Sequence, residues 1–165
     1  MTNTPSYQNP KVILATTPEE KKKCADVRVK VFVEELGYPP ELESLDTMDA
    51  IATLWLATCE KVDIKNNTIT TIPVGTIRML PYDEDDTVGV LSRLAVVSET
   101  RGMRLGQKLV EAFEDGVKDA GKKAIMVQGV AEKRSFYEAL GYTVEMDETY
   151  IKDGSPHYKF WKRNL

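Results

Sequence analysis

The segment Val88–Val117 constrains this chain more than any other. Val88–Val97 (VGVLSRLAVV) is apolar except at Gly89, Ser92 and Arg93, the pattern of a central strand covered on both faces. Ser98–Gly106 is polar and Gly-bearing. Leu105, Leu109, Ala112, Phe113 and Val117 then recur at helical spacing toward Gly121, which marks an amphipathic helix with a glycine stop. A buried strand that feeds a long amphipathic helix through a short loop is the building block of an α/β fold, because the helix must bury its stripe on a sheet.

The remaining sequence supplies that sheet. Lys11–Thr16 (KVILAT) reads as a strand. Thr17 caps a helix with Pro18 at its first position and Glu19 and Glu20 complementing the dipole. Cys24, Val27, Val31 and Phe32 follow at helical spacing until Gly37 and Pro39-Pro40, and Glu41–Ala50 is an acidic loop with a short helical turn. Ile51–Cys59 and Ile72–Leu80 form a hairpin about the turn at Asp63–Asn67, with Pro73 near the second strand's start. Pro81–Asp86 turns into the central strand. Ala124–Val127 is a strand, and Glu132–Leu140 is a helix with Phe136 and Leu140 on one face, stopped by Gly141. Strands near Tyr142–Met146 and His157–Trp161, joined through Asp153-Gly154, close the chain. The order β-α-β-β-β-α-β-α-β-β has no repeat or linker. It predicts one α/β domain with a mixed sheet over residues 1–165, with residues 1–10 (MTNTPSYQNP) as a flexible tail.

Charge and composition narrow the partners. Lys and Arg number 22 against 26 Asp and Glu, a net charge of −4. That balance argues against a nucleic-acid partner. No apolar run approaches the ~20 residues of a membrane span, and the polar first ten residues are no secretory signal. The expected location is the cytoplasm, with the nucleus also open. Cys24 and Cys59 read as free buried thiols. Neither they nor the Asp83–Asp86 turn has metal-ligand spacing. Lys21-Lys22-Lys23 reads as a solvated helix face, Asn66-Asn67-Thr68 as a polar turn, and Trp55 and Trp161 as core or pocket-wall aromatics.

Arg101-Gly102-Met103-Arg104-Leu105-Gly106 lies between the buried strand and the helix start. Unpaired N–H groups backed by a helix dipole favour an anion such as phosphate. Taken alone, the loop supports two readings, a phosphate site or a structural turn. It lacks the Gly-Lys-Ser/Thr of an NTPase loop and the dinucleotide-binding glycine spacing.

Leu91–Leu109 (LSRLAVVSETRGMRLGQKL) resembles the acetyl-CoA-binding motif of the GNAT acetyltransferase superfamily, and Ser135–Tyr142 (SFYEALGY) resembles that superfamily's second motif, Phe-Tyr-x-x-x-Gly-Phe/Tyr. One helix and one strand separate the two, as that fold requires. The first motif reads Arg/Gln-x-x-Gly-x-Gly/Ala in the superfamily. Arg101 and Gly106 match it, whereas Arg104 stands at the middle glycine, where its guanidinium would either crowd a pyrophosphate or grip it. Arg28–Gly37 (RVKVFVEELG) resembles the first helix of the ElaA-like group. Gly154-Ser155-Pro156-His157 with Tyr158–Arg163 resembles the closing strand of glyphosate N-acetyltransferase.

The resemblance implies the GNAT fold, with about six to seven strands flanked by helices on both faces. It implies acetyl-CoA as acyl donor and direct transfer to an amine through a ternary complex. Leu94, Ala95 and Val96 would pair through their backbone with the pantetheine arm. Arg101, Gly102, Met103, Arg104, Leu105, Gly106 and Gln107 would offer N–H groups to the pyrophosphate. Tyr137 aligns with the general acid and His157 with the base, a role that Glu34, Glu35 or a water chain could also fill. Arg93 and Glu34 are candidates for the acceptor side. For Arg93 two readings stand: it binds a substrate carboxylate or phosphate, or it bridges to Asp46 or Asp49. The expected partner is a small-molecule amine, and dimers, frequent in the family, make a homodimer an expectation. Two rivals remain. One is a protein or peptide N-acetyltransferase whose acidic Glu41–Asp49 loop attracts a basic peptide. The other is a non-catalytic acyl-CoA-binding module.

Overall fold

The structure, a computed structural model, describes residues 4–44 and 46–165. Eight strands and four α-helices follow one another as β1 (Ser6–Ala15), α1 (Pro18–Arg28), α2 (Glu41–Ser44), β2 (Thr53–Asp63), β3 (Thr68–Pro81), β4 (Val88–Val96), α3 (Leu105–Asp119), β5 (Ala124–Val130), α4 (Arg134–Ala139), β6 (Thr143–Val144), β7 (Tyr150–Lys152) and β8 (Ser155–Arg163). The fold class is the expected mixed α/β sheet with flanking helices. The residues fall into two compact units. One runs through Arg78 and includes Arg93–Ala112; the other comprises Met79–Ser92 and Phe113–Leu165.

In the first unit the strand order is β1-β2-β3-β4. β1 pairs antiparallel with β2 from Ser6↔Val62 to Ala15↔Leu54, with a bulge between Gln8 and Lys11. The expected tail at residues 1–10 is therefore corrected: Ser6–Pro10 are strand, and residues 1–3 lie outside the described residues. The polar composition misled because β1 is an edge strand. Gln8 and Asn9 donate to the Glu60 carboxylate at 3.0 and 2.6 Å, and Pro10, lacking an N–H, sits in the bulge, where a proline is tolerated.

α1 begins as its sequence dictates. The Glu20 N–H donates to Thr17 Oγ1 at 3.1 Å, and the Thr17 N–H donates back to Glu20 Oε1 at 3.0 Å, a complete capping box. The helix continues as a wider π-helical segment over Val29–Glu35, where the Leu36 N–H reaches back five residues to the Val31 carbonyl. Val29, Val31 and Val33 are β-branched and crowd an ordinary α turn.

Helices cover both faces of this unit's strands. Ala15, Cys24, Leu54 and Leu56 form one buried cluster beneath α1. On the opposite face Gly75 leaves room for α3, since a Cβ there would stand 2.9 Å from Leu109 Cδ1 and 3.2 Å from Ala57 Cβ. β3 starts four residues before the expected Ile72, so Pro73 lies inside it. The Val97 N–H bonds the Val74 carbonyl just beyond the end of β4. Pro73 thus lies one residue before the last contact of β3 with the segment after β4.

In the second unit β4 pairs in parallel with β5 from Val88↔Ala124 to Leu91↔Val127. Parallel pairing requires a crossover, which α3 provides. β5 pairs antiparallel with β8 from Ala124↔Arg163 to Val130↔His157, and β8 carries β6 and the short β7. β7 was not expected. It forms because Asp153 and Gly154, at φ 51° and 80°, close a tight hairpin onto β8. Val88, Ala124, Met126 and Trp161 form a buried cluster, and Phe113 and Val117 of α3 are fully buried.

Candidate active site

The loop ahead of α3 is built from two tight turns. The Arg101 N–H bonds the Ser98 carbonyl and the Met103 N–H bonds the Thr100 carbonyl, at 3.3 and 3.2 Å. Those two donors are spent, which narrows the predicted set Arg101–Gln107. The first bond of the α3 ladder runs from the Lys108 N–H to the Arg104 carbonyl at 3.1 Å. The N–H groups of Leu105, Gly106 and Gln107 precede it and have no acceptor within the helix, the arrangement that accepts an anion.

Arg104 sits at φ 58° and Gly102 at φ 105°. The glycine of the superfamily pattern thus corresponds to a left-handed position. Arg104 adopts it at a cost of roughly 1–2 kcal/mol. Its side chain is exposed and has no ion pair among the described residues, so it stands available to an anion. Arg101 does not. Its guanidinium donates to the Val96 carbonyl at 3.2 and 2.8 Å and forms a bidentate pair with Glu35. Arg101 therefore fastens the loop to the end of β4 and to the π-helical segment.

Leu94, Ala95 and Val96 follow a break in β4. Arg93 has φ 52°, a left-handed residue inside a strand, which interrupts the pleat. Its guanidinium lies 3.3 and 3.4 Å from Asp46 Oδ2 and 3.4 Å from the Leu42 carbonyl. Glu43 Oε1 is 3.8 Å from its Nε, and the Phe32 ring lies below at 5.9 Å. The bridging alternative is thus the one present, with Asp46 and Glu43 as partners rather than Asp49.

Asp49 belongs to the same network through two further arginines. Arg28 bonds Glu43 at 2.9 Å and Asp49 at 2.6 Å, and Arg78 bonds Asp46 at 3.0 Å and Asp49 at 2.9 Å. Both arginines are 3% exposed, a burial that only paired charges withstand. Burial by itself would raise the Asp46 carboxyl, but the Met48 N–H, Arg78 and Arg93 outweigh it and hold Asp46 below the usual carboxylate range. Sequence reasoning missed Arg28 and Arg78, although each is a charge inside an apolar run (DVRVKVF, TIRML), the signal that flagged Arg93.

Glu34 is exposed and lines a shallow groove with Lys30, Val31, Glu35, Val97 and Ser98. Lys30 in turn pairs with Glu99 at 3.1 Å.

In the second unit Tyr137 is 6% exposed. Phe136 and Leu140, expected on one face of its helix, are half-buried, and Tyr137 beside them points into the core. Its ring packs on Phe136, Tyr142 and Phe160 at centroid distances of 5.2, 5.8 and 5.1 Å and rests on Gly129, where a Cβ would lie 2.8 Å from Cε2. Burial pushes the phenol well above its ordinary range, so Tyr137 remains a proton donor at any physiological pH.

His157 is buried at 7% exposure, not a surface residue. Its Nδ1 lies 2.8 Å from the Ser155 carbonyl, an acceptor, so Nδ1 carries a proton in that contact and Nε2 is left to accept one. His157 faces Tyr150 across the β7–β8 register, with ring centroids 6.0 Å apart. Along β8 side chains alternate between faces. Tyr158 and Phe160 lie on the Tyr137 side, their rings 6.0 Å apart, which sets His157 on the other face with Lys159 and Trp161. Acid and base candidates therefore occupy opposite faces of one strand.

Cys24 and Cys59 are free and buried, outside both motifs. Among the described residues no cluster of His, Cys, Asp and Glu could hold a metal ion, and no helix is long and apolar enough to cross a membrane.

Comparison with known proteins matches this architecture. A family model described as an acetyltransferase (GNAT) domain matches residues 52–144. A Bacillus subtilis protein provisionally named an acetyltransferase is 30% identical over 151 residues, 90% of this chain and 93% of that one. A crystal structure from Lactobacillus plantarum, provisionally named an N-acetyltransferase, superposes with a TM-score of 0.77 at 25% identity, covering 96% of this chain and 100% of that one. Escherichia coli ElaA shares the fold with a TM-score of 0.71 at 22% identity over 97% of this chain and 100% of its own.

Proposed function

Because this chain belongs to the GNAT acetyltransferase family, we propose that it transfers the acetyl group of acetyl-CoA to the amine of a small molecule. It does so directly in a ternary complex, with the whole chain acting as one catalytic domain. The observation that carries this reading is the start of α3, where the N–H groups of Leu105, Gly106 and Gln107 precede the first helical hydrogen bond beside the exposed Arg104, which has no ion pair among the described residues. That donor set fits a pyrophosphate. Acetyl-CoA, when bound, supplies an activated thioester.

The chain's own residues divide the remaining work. Leu105, Gly106 and Gln107 hold the diphosphate through N–H groups, and Arg104 adds a charge-assisted contact. The backbone of Leu94, Ala95 and Val96 orients the pantetheine arm as an added strand would. Tyr137 keeps its phenolic proton through burial and delivers it to the departing sulfur. His157 Nε2 removes the amine proton. Glu34, exposed in its groove, attracts the cationic acceptor. Free thiols at Cys24 and Cys59 suit a cytoplasmic, reducing setting.

The peptide-acetyltransferase rival loses its main support. Glu43, Asp46 and Asp49 of the acidic loop are already compensated by Arg28, Arg78 and Arg93, which leaves little field to attract a basic peptide.

Thermal unfolding with acetyl-CoA, with CoA and without ligand tests the first step. Ligand at ~100 times its Kd stabilises by about 2.7 kcal/mol, a rise of about 5–10 °C for a chain of this size. Thiol release with a panel of small amines tests the second, with Tyr137→Phe and His157→Ala each lowering kcat roughly 10²–10⁴-fold. No stabilisation at millimolar ligand would remove the cofactor assignment. Stabilisation without turnover of any amine would leave an acyl-CoA-binding module.

A further inference from the structure

We infer that Arg93 is a positioning residue: its bonds to the acidic loop hold β4 in a left-handed kink and thereby set the backbone of Leu94, Ala95 and Val96. The inference rests on the role proposed for those three residues toward acyl-CoA.

Arg93 has φ 52° inside a strand, a conformation for which glycine, asparagine or aspartate is suited and arginine is not. The five residues before it, Val88–Ser92, are strand, and Leu94–Val96 after it are strand again. A residue with a Cβ stays left-handed there only where its surroundings fix it. The side chain supplies that fixation through its guanidinium. Asp46 Oδ2 and the Leu42 carbonyl lie within hydrogen-bond distance of its guanidinium, and the Phe32 ring lies under the same group. Asp46 cannot swing away, because Arg78 Nη1 bonds the same carboxylate at 3.0 Å and the Met48 N–H bonds its other oxygen at 2.9 Å. The anchor is itself anchored.

Downstream the strand is pinned a second time. The Val96 carbonyl accepts two bonds from Arg101, and the Val97 N–H bonds Val74. Leu94–Val96 is therefore a short segment clamped between two arginines, Arg93 through its side chain and Arg101 through the carbonyl it caps. Arg93 so placed need not touch the acceptor. Its effect passes through the backbone that follows it.

Replacing Arg93 by alanine and by glycine separates the alternatives. Both remove the guanidinium, but only glycine takes φ 52° without steric conflict. Calorimetric titration with CoA gives the affinity, and amide hydrogen exchange of the Leu94, Ala95 and Val96 N–H groups reads the segment in the free protein. Arg93→Ala should weaken CoA about tenfold relative to Arg93→Gly, the size expected from a left-handed penalty. Exchange at the three amides should rise in the alanine variant and recover in the glycine variant. Arg93→Lys, which keeps the charge but gathers its donors on one nitrogen, should fall between alanine and the wild type. Equal CoA affinities for alanine and glycine would overturn the inference, since a residue acting through its side chain alone loses the same contact in both. So would a lowered Tm in both with CoA affinity unchanged, the mark of a purely structural bridge. If the wild type bound no CoA, the reading of the strand itself would fall, while the exchange contrast would still decide whether Arg93 holds the kink.

Discussion

Gly129 governs the placement of Tyr137, and a single methyl group tests it. Gly129 lies on β5 opposite Tyr158. A Cβ there would stand 2.8 Å from Tyr137 Cε2, 3.3 Å from its Cδ2 and 3.1 Å from Phe160 Cε2. Carbon atoms prefer separations of roughly 3.5–4.0 Å, so Gly129→Ala must displace the tyrosine ring by about 1 Å. Neither neighbour yields easily. Phe160 is fully buried, and Tyr137 is wedged against Phe136 and Tyr142 as well. Gly129 is not among the residues with positive φ, so the alanine brings no backbone strain of its own and the effect is steric. Overpacking of this kind costs about 1–3 kcal/mol, or a Tm lowered by about 2–12 °C. A shift of ~1 Å in a catalytic group costs on the order of 10² in rate. Urea unfolding and thiol-release kinetics on the wild type, Gly129→Ala, Tyr137→Phe and the double variant read both effects. If Gly129 acts through the hydroxyl, the alanine lowers kcat in the wild type and adds little in the Tyr137→Phe background. An unchanged kcat despite lost stability would refute the argument, as would an equal loss in both backgrounds.

Two further outcomes follow from the loop and from the buried phenols. Arg104→Gly removes a left-handed cost of roughly 1–2 kcal/mol and adds unfolded-chain entropy worth about 0.5–1 kcal/mol; urea unfolding should therefore show a gain of about 0.5–1 kcal/mol, while KM for acetyl-CoA rises about two- to fivefold with a weaker salt dependence. A destabilised Arg104→Gly protein would contradict the assigned φ. Of the seven tyrosines, four are raised above the ordinary phenol range: Tyr82 chiefly by its bond to Glu84 and Tyr150 by burial, and most strongly the two core phenols Tyr137 and Tyr142, in both cases chiefly by burial, with Glu114 adding to Tyr142. The folded state then holds these protons more tightly than the unfolded state, so stability falls as pH rises above ~10. Phenolate absorbance should show two tyrosines that ionise only together with unfolding, and smooth titration of all seven below that transition would contradict their burial.

What the sequence discloses and what it hides divide along physical lines. Periodicity and capping are local, so α1 with its Thr17–Glu20 box, the apolar β4 and the amphipathic α3 were legible directly. The free N–H groups at the α3 start were legible too, because they follow from a helix terminus and not from any distant contact. β1 was legible only from Lys11, since Ser6–Pro10 are polar for a reason that lies 51 to 52 residues away, in the Glu60 carboxylate. The charge network shows the same limit more sharply. Arg28, Arg78 and Arg93 each stand in apolar runs, and each such charge demands a partner. Yet six charges allow many pairings, and the sequence offered Asp46 and Asp49 equally for Arg93. The choice among them is made by backbone geometry. A left-handed Arg93 aims its guanidinium at Asp46 and Glu43, while Arg28 and Arg78 divide Asp49 between its two oxygens. The kink at Arg93, invisible to hydrophobic patterning, goes with its choice of Asp46. The acidic loop, which composition left open as a draw for a basic peptide, is in the folded chain the counter-charge of Arg28, Arg78 and Arg93.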